Sequence, residues 1–239
     1  MTFNEIVSSA LAAKYETAIS DDKRSILEVA IGSASLKRDD LGVLYQFIST
    51  IKPVNVLEIG LATGSSAVCN MLASPETISS YVVIDPFQSK WFGKRGINNL
   101  RSCANSRANV TLHEERSHVV LSRLLNDNAI FDYAFIDGSH MFDETLIEFF
   151  YVDKLLKVGG VVVMDDRQWP MVGAVINFIK SNYVHYKVDD RHQKLTFLLK
   201  MGDDERRWYD FRRFEIPQSE FFEDRIRKFQ QEQGSAFVD

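Results

Sequence analysis

Four side chains in the middle of the sequence could hold a cation and accept a proton. Asp137 follows one short apolar run, His140 lies three residues further on, and the pair Asp165-Asp166 follows the next apolar run. If both runs are neighbouring strands of a parallel sheet, these groups meet at its carboxyl edge. Three carboxylates so close repel one another unless a cation or protons neutralise them. Because such oxygen ligands suit a hard ion, the pattern predicts Asp137, Asp165 and Asp166 as ligands of Mg²⁺.

A histidine at such an edge could act as a base. An unperturbed imidazole has a pKa near about 6.5, so His140 could accept the proton of a reacting group at neutral pH. Purely structural roles also fit these residues. Asp165 and Asp166 could cap a helix that begins near Met171, and His140 could be a loop histidine that only orders the site.

A glycine-bearing segment earlier in the chain could bind a cofactor. The apolar run Val54–Ile59 leads into this segment, and a helical pattern follows from Ala67. Glycines between a first strand and a helix let the backbone approach a ligand closely. A plain strand–helix turn or a dinucleotide site has the same pattern. The candidate cofactor-binding residues of this loop are Gly60, Ala62, Gly64, Ser65 and Ser66.

Two further carboxylates favour a nucleoside with a positive charge as the ligand. Glu58 stands just before Gly60, where an acid can compensate a cationic ligand directly or by ordering the loop, whereas a pyrophosphate would gain nothing from it. Asp85 ends the next apolar run and could accept hydrogen bonds from both ribose hydroxyls of an adenosine. Asp85 fits NAD equally well, and it could instead cap the turn before Pro86.

These segments resemble the cofactor motifs of class I S-adenosylmethionine-dependent methyltransferases. The similar stretches are Glu58-Ile59-Gly60, Gly64-Ser65-Ser66 and Val83–Phe87, and the resemblance extends over about residues 50–200. It is closest to the small-molecule O-methyltransferases and their methyltransferase-domain relatives. Ala62 departs from the pattern, because many class I enzymes have a glycine there. The resemblance implies S-adenosylmethionine as cofactor and a small-molecule acceptor.

The resemblance also assigns roles around the acidic residues. Metal-dependent O-methyltransferases place one acid after the fourth strand and an acidic or amide pair after the fifth, which Asp137, Asp165 and Asp166 match. His140 matches the proposed base of sugar O-methyltransferases from antibiotic pathways, so Asp137 and His140 are the implied catalytic residues. Ser117 follows the third strand, near the place where the family holds adenine, although it could equally cap a helix.

The implied activity is divalent-metal-assisted O-methylation of a sugar or natural-product hydroxyl. One alternative is a metal-independent N- or C-methyltransferase, in which the acids would steer a cationic substrate. A nicotinamide-dependent oxidoreductase is a second alternative, opposed by Glu58 and by the lack of a clear second catalytic domain. A non-catalytic nucleoside-binding protein is a third, opposed by the clustering of acids with His140.

The elements that must position these residues are predicted by the alternation of apolar runs with helical patterns. Near-continuously apolar strands separated by crossover helices are typical of a mostly parallel sheet covered on both faces. We therefore expect a Rossmann-like class I methyltransferase fold with a seven-stranded sheet in which one strand is antiparallel. The predicted strands are Val54–Ile59, Tyr81–Ile84, Asn109–His113, Tyr133–Ile136, Val161–Met164, Tyr183–Val188 and Lys194–Lys200.

Three segments are expected along the chain. Residues 1–52 form a helical segment that acts as a lid or dimer contact, residues 53–200 form the cofactor-binding core, and residues 201–239 form a C-terminal arm with a helix over Ser219–Gln233. In the first segment Ile6, Leu11 and Tyr15 could share one helical face. The arm is expected to pack on the domain or on a second subunit, which makes a homodimer a further expectation.

Composition narrows the classes of partner. The net charge of −5 disfavours nucleic acid and anionic membrane, because both attract basic surfaces. No apolar run reaches the length of a membrane span, and the N-terminus lacks the pattern of a signal peptide. The two cysteines, Cys69 and Cys103, have no metal-site spacing and are expected in helices. A cytoplasmic location is the resulting expectation.

Overall fold

The computed structural model describes residues 1–32 and 35–217, and the predicted helix Ser219–Gln233 lies outside them. The helices are α1 Phe3–Leu11, α2 Tyr15–Ala18, α3 Asp21–Ala30, α4 Arg38–Ile51, α5 Ser65–Ala73, α6 Arg95–Cys103, α7 Ser117–Asn126, α8 Phe142–Leu155 and α9 Pro170–Asn182. The strands are β1 Asn55–Ile59, β2 Ser80–Ile84, β3 Asn109–His113, β4 Phe131–Ile136, β5 Leu156–Met164, β6 Tyr186–Asp189 and β7 Thr196–Lys200. Among these helices, none combines the length and the apolar character that crossing a membrane requires.

The strands form one sheet of seven in the order β3-β2-β1-β4-β5-β7-β6. The first five strands pair in parallel, and β7 runs antiparallel to both of its neighbours. The predicted class I fold is therefore confirmed. The sixth strand begins three residues later than predicted because Tyr183 forms the C-terminal cap of α9.

Both faces of the sheet are buried, which explains why its strands are almost continuously apolar. Tyr133 and Phe135 of β4 pack in a core with the N-terminal helices, α5 and α6. Ala134 and Ile136 of the same strand point to the opposite face and pack in a second core with α7, α8 and α9. Successive residues of a strand point to opposite faces of the sheet, so a strand that is buried on both faces needs apolar residues at its odd and its even positions.

The helices before the sheet cover one of its faces. Leu41, Leu44 and Ile48 of α4 are fully buried, and α4 ends one residue before Lys52, which takes a left-handed conformation ahead of Pro53. The first helix is shorter than the expected pattern, because α1 ends at Leu11 and Tyr15 begins α2. The cysteines Cys69 and Cys103 lie in α5 and α6 as expected, and both are free thiols.

The described part of the C-terminal arm, residues 201–217, contains no helix or strand and packs near the end of α9. The guanidinium of Arg206 lies 3.5 Å from the ring centroid of Tyr183. The amide of Asn182 donates to the carbonyl oxygen of Arg212 at 3.0 Å and accepts from its N–H at 2.8 Å. These contacts lie far along the chain from the predicted site residues.

The register of the parallel strands brings the predicted site residues to one edge. Ile59 is paired with Ile84 on one side and with Ile136 on the other, and Ile136 is paired with Met164. The residues that follow these strand ends are therefore neighbours. The strand order reverses between β1 and β4, which are neighbours in the sheet, and ligands of such sheets bind at that point.

A buried carboxyl group joins β1, β2 and α5. Glu58 is fully buried, and its side chain accepts hydrogen bonds from the hydroxyls of Ser66 and Tyr81. Burial raises the pKa of Glu58 to about 8, although both hydrogen bonds oppose that shift. A neutral carboxyl at this position orders the loop that follows β1.

We expect Glu58→Gln to change how stability depends on pH. In the unfolded chain the carboxyl ionises near its ordinary pKa of 4.5, and in the folded protein near 8. The folded state thus binds more protons in this window, so the stabilisation from the proton is full below pH 4.5 and is lost as pH rises to about 8. In this window the proton on Glu58 makes the free energy of unfolding fall by up to ~1.4 kcal/mol per pH unit, and Glu58→Gln should remove this fall.

Urea unfolding between pH 5 and 8 measures this slope. The matched control is Glu76→Gln, at an exposed glutamate between α5 and β2, which should leave the slope as in the wild type. An unchanged slope in Glu58→Gln would show that Glu58 is already ionised in the folded protein.

Candidate active site

A cavity of about 690 Å³ opens at the carboxyl edge of the sheet. Its walls are the segments that follow β1, β2, β4 and β5, the start of α7 and the hairpin between β6 and β7. Most of the predicted site residues line it, but Glu58, Gly64 and Asp165 do not. The predicted residues in its lining are Gly60, Ala62, Ser65, Ser66, Asp85, Ser117, Asp137, His140 and Asp166.

The loop after β1 keeps its backbone close to the segment after β4. Gly60 has a φ of +83°, and a Cβ at this position would lie 1.9 Å from the carbonyl oxygen of Asp137. Gly64 also has a positive φ, at +89°, and begins α5. Ala62 reaches the left-handed region at +48° without being a glycine, so the departure from the family pattern leaves the loop conformation available.

Asp85 binds this loop with most of its acceptor capacity. Its carboxylate accepts from the backbone N–H groups of Leu61 at 3.1 Å and Ala62 at 2.9 Å, and from Phe87 N–H at 2.8 Å. Gln88, which the sequence analysis did not single out, donates a fourth bond at 2.8 Å and a further one to the carbonyl oxygen of Ala62. Asp85 lines the cavity. Its Oδ2 accepts three of these hydrogen bonds and its Oδ1 only one, so Oδ1 is the atom that can accept further hydrogen bonds from a ligand.

Ser117 contacts an acidic side chain from the next helix. It is the first residue of α7 and not its cap, and its hydroxyl donates to Glu148 Oε1 at 2.8 Å. Glu148 is almost fully buried, and burial raises its pKa to about 8. Both residues line the cavity.

Aromatic rings form two of the cavity walls. Phe87 and Trp91 stack with ring centroids 3.7 Å apart, and the guanidinium of Arg116 lies 5.6 Å from the Phe87 ring. On the other side, the rings of His140 and Trp169 are nearly parallel, at 7°, with centroids 5.7 Å apart. These flat apolar surfaces suit ligands that carry rings.

An Asp–His–Asp cluster lies at the ends of β4 and β5. His140 Nε2 is 2.9 Å from Asp166 Oδ2 and 3.5 Å from Asp137 Oδ1. One ligand atom from each of Asp137, His140 and Asp166 lies within 4.8 Å of the others, which is close enough for all three to share one metal ion. Asp166 holds this position with a φ of +58°.

Asp165 is not part of this cluster and contacts Lys194 instead. Its Oδ1 accepts from the N–H of Asp166 at 2.7 Å, and its Oδ2 lies 2.9 Å from the ammonium of Lys194. Lys194 also reaches Asp166 Oδ1 at 3.4 Å. The predicted metal set of Asp137, Asp165 and Asp166 thus differs from the observed cluster, in which His140 stands in place of Asp165.

The charges in this cluster determine its protonation. Hydrogen bonds to Asp137 and Asp166 raise the pKa of His140 to about 10. Burial opposes the ionisation of Asp166, but the bond from His140 and the charge of Lys194 outweigh it and lower its pKa to about 2. For Asp165, burial and the two nearby carboxylates raise the pKa well above its ordinary value.

Lys194 is the contact residue that sequence reasoning missed. It lies in the β6–β7 hairpin, 28 residues after Asp166, and no motif marks it. Gln168 and Trp169, which follow the acidic pair, also line the cavity. Arg167 points elsewhere, to the carbonyl oxygen of His192.

The chain is similar to known proteins in sequence and in fold. Residues 57–167 match the family model described as a methyltransferase domain. Two Arabidopsis thaliana proteins that carry the name caffeoyl-CoA O-methyltransferase are 27% identical over 135 residues and 24% identical over 173 residues. These matches cover 55% and 70% of this chain, but 54% and 68% of the two relatives, so the first spans only about half of its relative.

A solved structure shares the fold. The O-methyltransferase TomG from Streptomyces achromogenes, involved in tomaymycin synthesis and determined in complex with S-adenosylmethionine, superposes with a TM-score of 0.59 at 17% identity. The superposition covers 84% of this chain and all of TomG (100%). Residues 57–167 thus resemble a methyltransferase domain in sequence, and the chain shares the fold of a methyltransferase that binds S-adenosylmethionine.

Proposed function

We propose that this chain is an S-adenosylmethionine-dependent methyltransferase that methylates a hydroxyl oxygen of a small molecule, and that Asp137 and Asp166 hold a divalent ion beside that hydroxyl. The observation that carries the proposal is the Asp137–His140–Asp166 cluster, which lines the same cavity as the glycine loop. The carboxylate oxygens of Asp137 and Asp166 are donors that Mg²⁺ or Mn²⁺ accepts, and His140 lies beside them, with one atom of each of the three residues within 4.8 Å of the others.

The glycine-loop side of the cavity is assigned to the cofactor. The backbone of Gly60, Ala62 and Gly64 and the start of α5 at Ser65 and Ser66 would hold its methionine part. Glu58 supports this loop from behind and makes no contact with the cavity, because it is fully buried and bonded to Ser66. Since the pKa of Glu58 is about 8, its role is to order the loop and not to supply a negative charge.

The other parts of the cofactor would lie towards β2 and α7. Asp85 Oδ1 can accept from one ribose hydroxyl, while Oδ2 is filled by its bonds to the loop. Ser117, the stacked ring of Phe87 and the guanidinium of Arg116 would surround the adenine. An adenine ring fits this wall because it can stack on Phe87.

The acceptor would enter between His140 and the segment after β5. Bound S-adenosylmethionine supplies a methyl group on a positively charged sulfur, and a bound divalent ion supplies positive charge that favours loss of the hydroxyl proton. With a divalent ion on Asp137 and Asp166, a protonated His140 is no longer needed to neutralise the two carboxylates. His140 Nε2 can then accept the proton of the acceptor hydroxyl. Transfer itself is an in-line displacement, so holding the oxygen in line with the sulfur provides much of the rate.

The substrate class proposed is a ring-bearing natural product or sugar hydroxyl. Trp169 and His140 present parallel ring faces, and Gln168 offers an amide beside Asp166, to which it donates at 2.7 Å. The caffeoyl-CoA O-methyltransferase name of the two relatives and the involvement of TomG in tomaymycin synthesis support a small-molecule acceptor. The acidic net charge of the chain remains consistent with a partner other than nucleic acid.

Chelation tests the metal part of the proposal. Release of S-adenosylhomocysteine is followed with a panel of catechols and sugars, before and after dialysis against EDTA. We expect turnover to fall on the order of 100-fold and to return with Mg²⁺, because the ion favours loss of the acceptor proton. EDTA already saturated with Mg²⁺ is the control. Unchanged turnover after chelation would favour the metal-independent N- or C-methyltransferase.

The substitution His140→Gln tests whether His140 is the proton acceptor or a ligand of the metal ion. If His140 is the proton acceptor, turnover should fall by about 10²- to 10⁴-fold while Mn²⁺ affinity, measured by the paramagnetic resonance of free Mn²⁺, changes by less than about 3-fold. The control is His118→Gln, at an exposed histidine of α7, which should alter neither quantity. A parallel loss of Mn²⁺ affinity and turnover would instead make His140 a metal ligand.

A further inference from the structure

Lys194 places a permanent positive charge against the acidic pair after β5. Its ammonium lies 2.9 Å from Asp165 Oδ2 and 3.4 Å from Asp166 Oδ1, and its side chain is only 22% exposed. Asp165 Oδ1 is engaged by the backbone N–H of Asp166 at 2.7 Å. Of the two oxygens of Asp165, Oδ1 is hydrogen-bonded by the backbone, and the buried Oδ2 has no hydrogen-bond partner among the described residues but an ionic contact with Lys194.

The backbone around Lys194 is fixed on both sides. Its carbonyl oxygen accepts from the N–H of Arg167 at 3.0 Å, which links the hairpin directly to the segment after Asp166. Its own N–H donates to His192 Nδ1 at 3.2 Å, and the N–H of Leu195 donates to the same atom at 2.9 Å. Since these bonds hold the hairpin in place, the ammonium is positioned by the fold as well as by its partners.

The charge balance of the site follows from this contact. Asp137, Asp165 and Asp166 carry three potential negative charges at the ends of β4 and β5, and Lys194 compensates one of them. The oxygens left for an ion are those of Asp137 and Asp166, with His140 beside them. A cation already in place repels a second one nearby, so Lys194 must weaken the binding of a divalent ion.

We propose that Lys194 sets the affinity and the coordination of the divalent ion: it keeps Asp165 out of the ligand set and holds the ion weakly on Asp137 and Asp166. This inference rests on the proposed function, because it needs the ion to bind at that cluster. Weak binding keeps the ion exchangeable and leaves coordination positions for the oxygens of the acceptor. Removing the ammonium frees Asp165 Oδ2 as an additional ligand.

Mn²⁺ titration of the full-length protein tests this without any turnover. Lys194→Met, which removes the charge and keeps the length of the side chain, should bind Mn²⁺ at least about 10-fold more tightly than the wild type. Lys194→Arg keeps the charge and should stay within about 3-fold of the wild type. Lys37→Met is the matched control: it removes the charge of a lysine that lines the same cavity, and it should leave Mn²⁺ affinity unchanged.

A second substitution tests the ligand set. Asp165→Asn should change Mn²⁺ affinity little in the wild type, where Lys194 occupies Asp165, and should reverse the gain in the Lys194→Met background. Circular dichroism and the melting temperature verify folding, and Lys194→Gln replaces Lys194→Met if the latter does not fold.

The outcomes distinguish the two claims. Equal or weaker Mn²⁺ binding in folded Lys194→Met overturns the role of Lys194 and leaves the proposed function intact. No Mn²⁺ binding in the wild type or in any Lys194 variant overturns the metal of the proposed function, and this inference with it.

Discussion

The parallel register of β1, β4 and β5 is the constraint on which the site depends. Because Ile59, Ile136 and Met164 are aligned, the loops that follow these strands share one edge, and Gly60 must pass the carbonyl oxygen of Asp137 at a distance that no side chain permits. This close approach places the cofactor loop beside the acidic cluster. In the proposed function, the donor site and the acceptor site therefore lie side by side without any long loop to join them.

Crowded negative charge is the second consequence of that register. Three carboxylates at two neighbouring strand ends destabilise one another unless cations lie among them, and the fold provides His140 and Lys194 for this purpose. The two cations differ in what they permit. His140 can lose its proton when another cation takes its place, whereas Lys194 keeps its charge and binds Asp165 permanently. The site thus combines one exchangeable and one fixed positive charge.

Much of this arrangement was predictable from the sequence, and the limits have physical reasons. Apolar runs that end in Gly60, Asp85, Asp137 and Asp165 predicted the sheet and its carboxyl edge, because strand periodicity and parallel pairing are local and regular. Side-chain direction was not predictable. Asp165 turns to Lys194, and Asp85 is bonded to the loop after β1, because of contacts with residues distant in sequence. The start of β6 was also displaced, since α9 continues to Asn182.

The central claim is that the cavity beside the Gly60–Gly64 loop binds S-adenosylmethionine, and calorimetric titration of the purified protein with S-adenosylmethionine and with NAD tests it most directly. We expect binding of S-adenosylmethionine with a Kd on the order of 1–100 μM, as for ligands that bury most of their surface in a preformed pocket, and no heat from NAD. Binding of NAD without binding of S-adenosylmethionine, with or without Mg²⁺, would contradict the account and favour a nicotinamide-dependent enzyme.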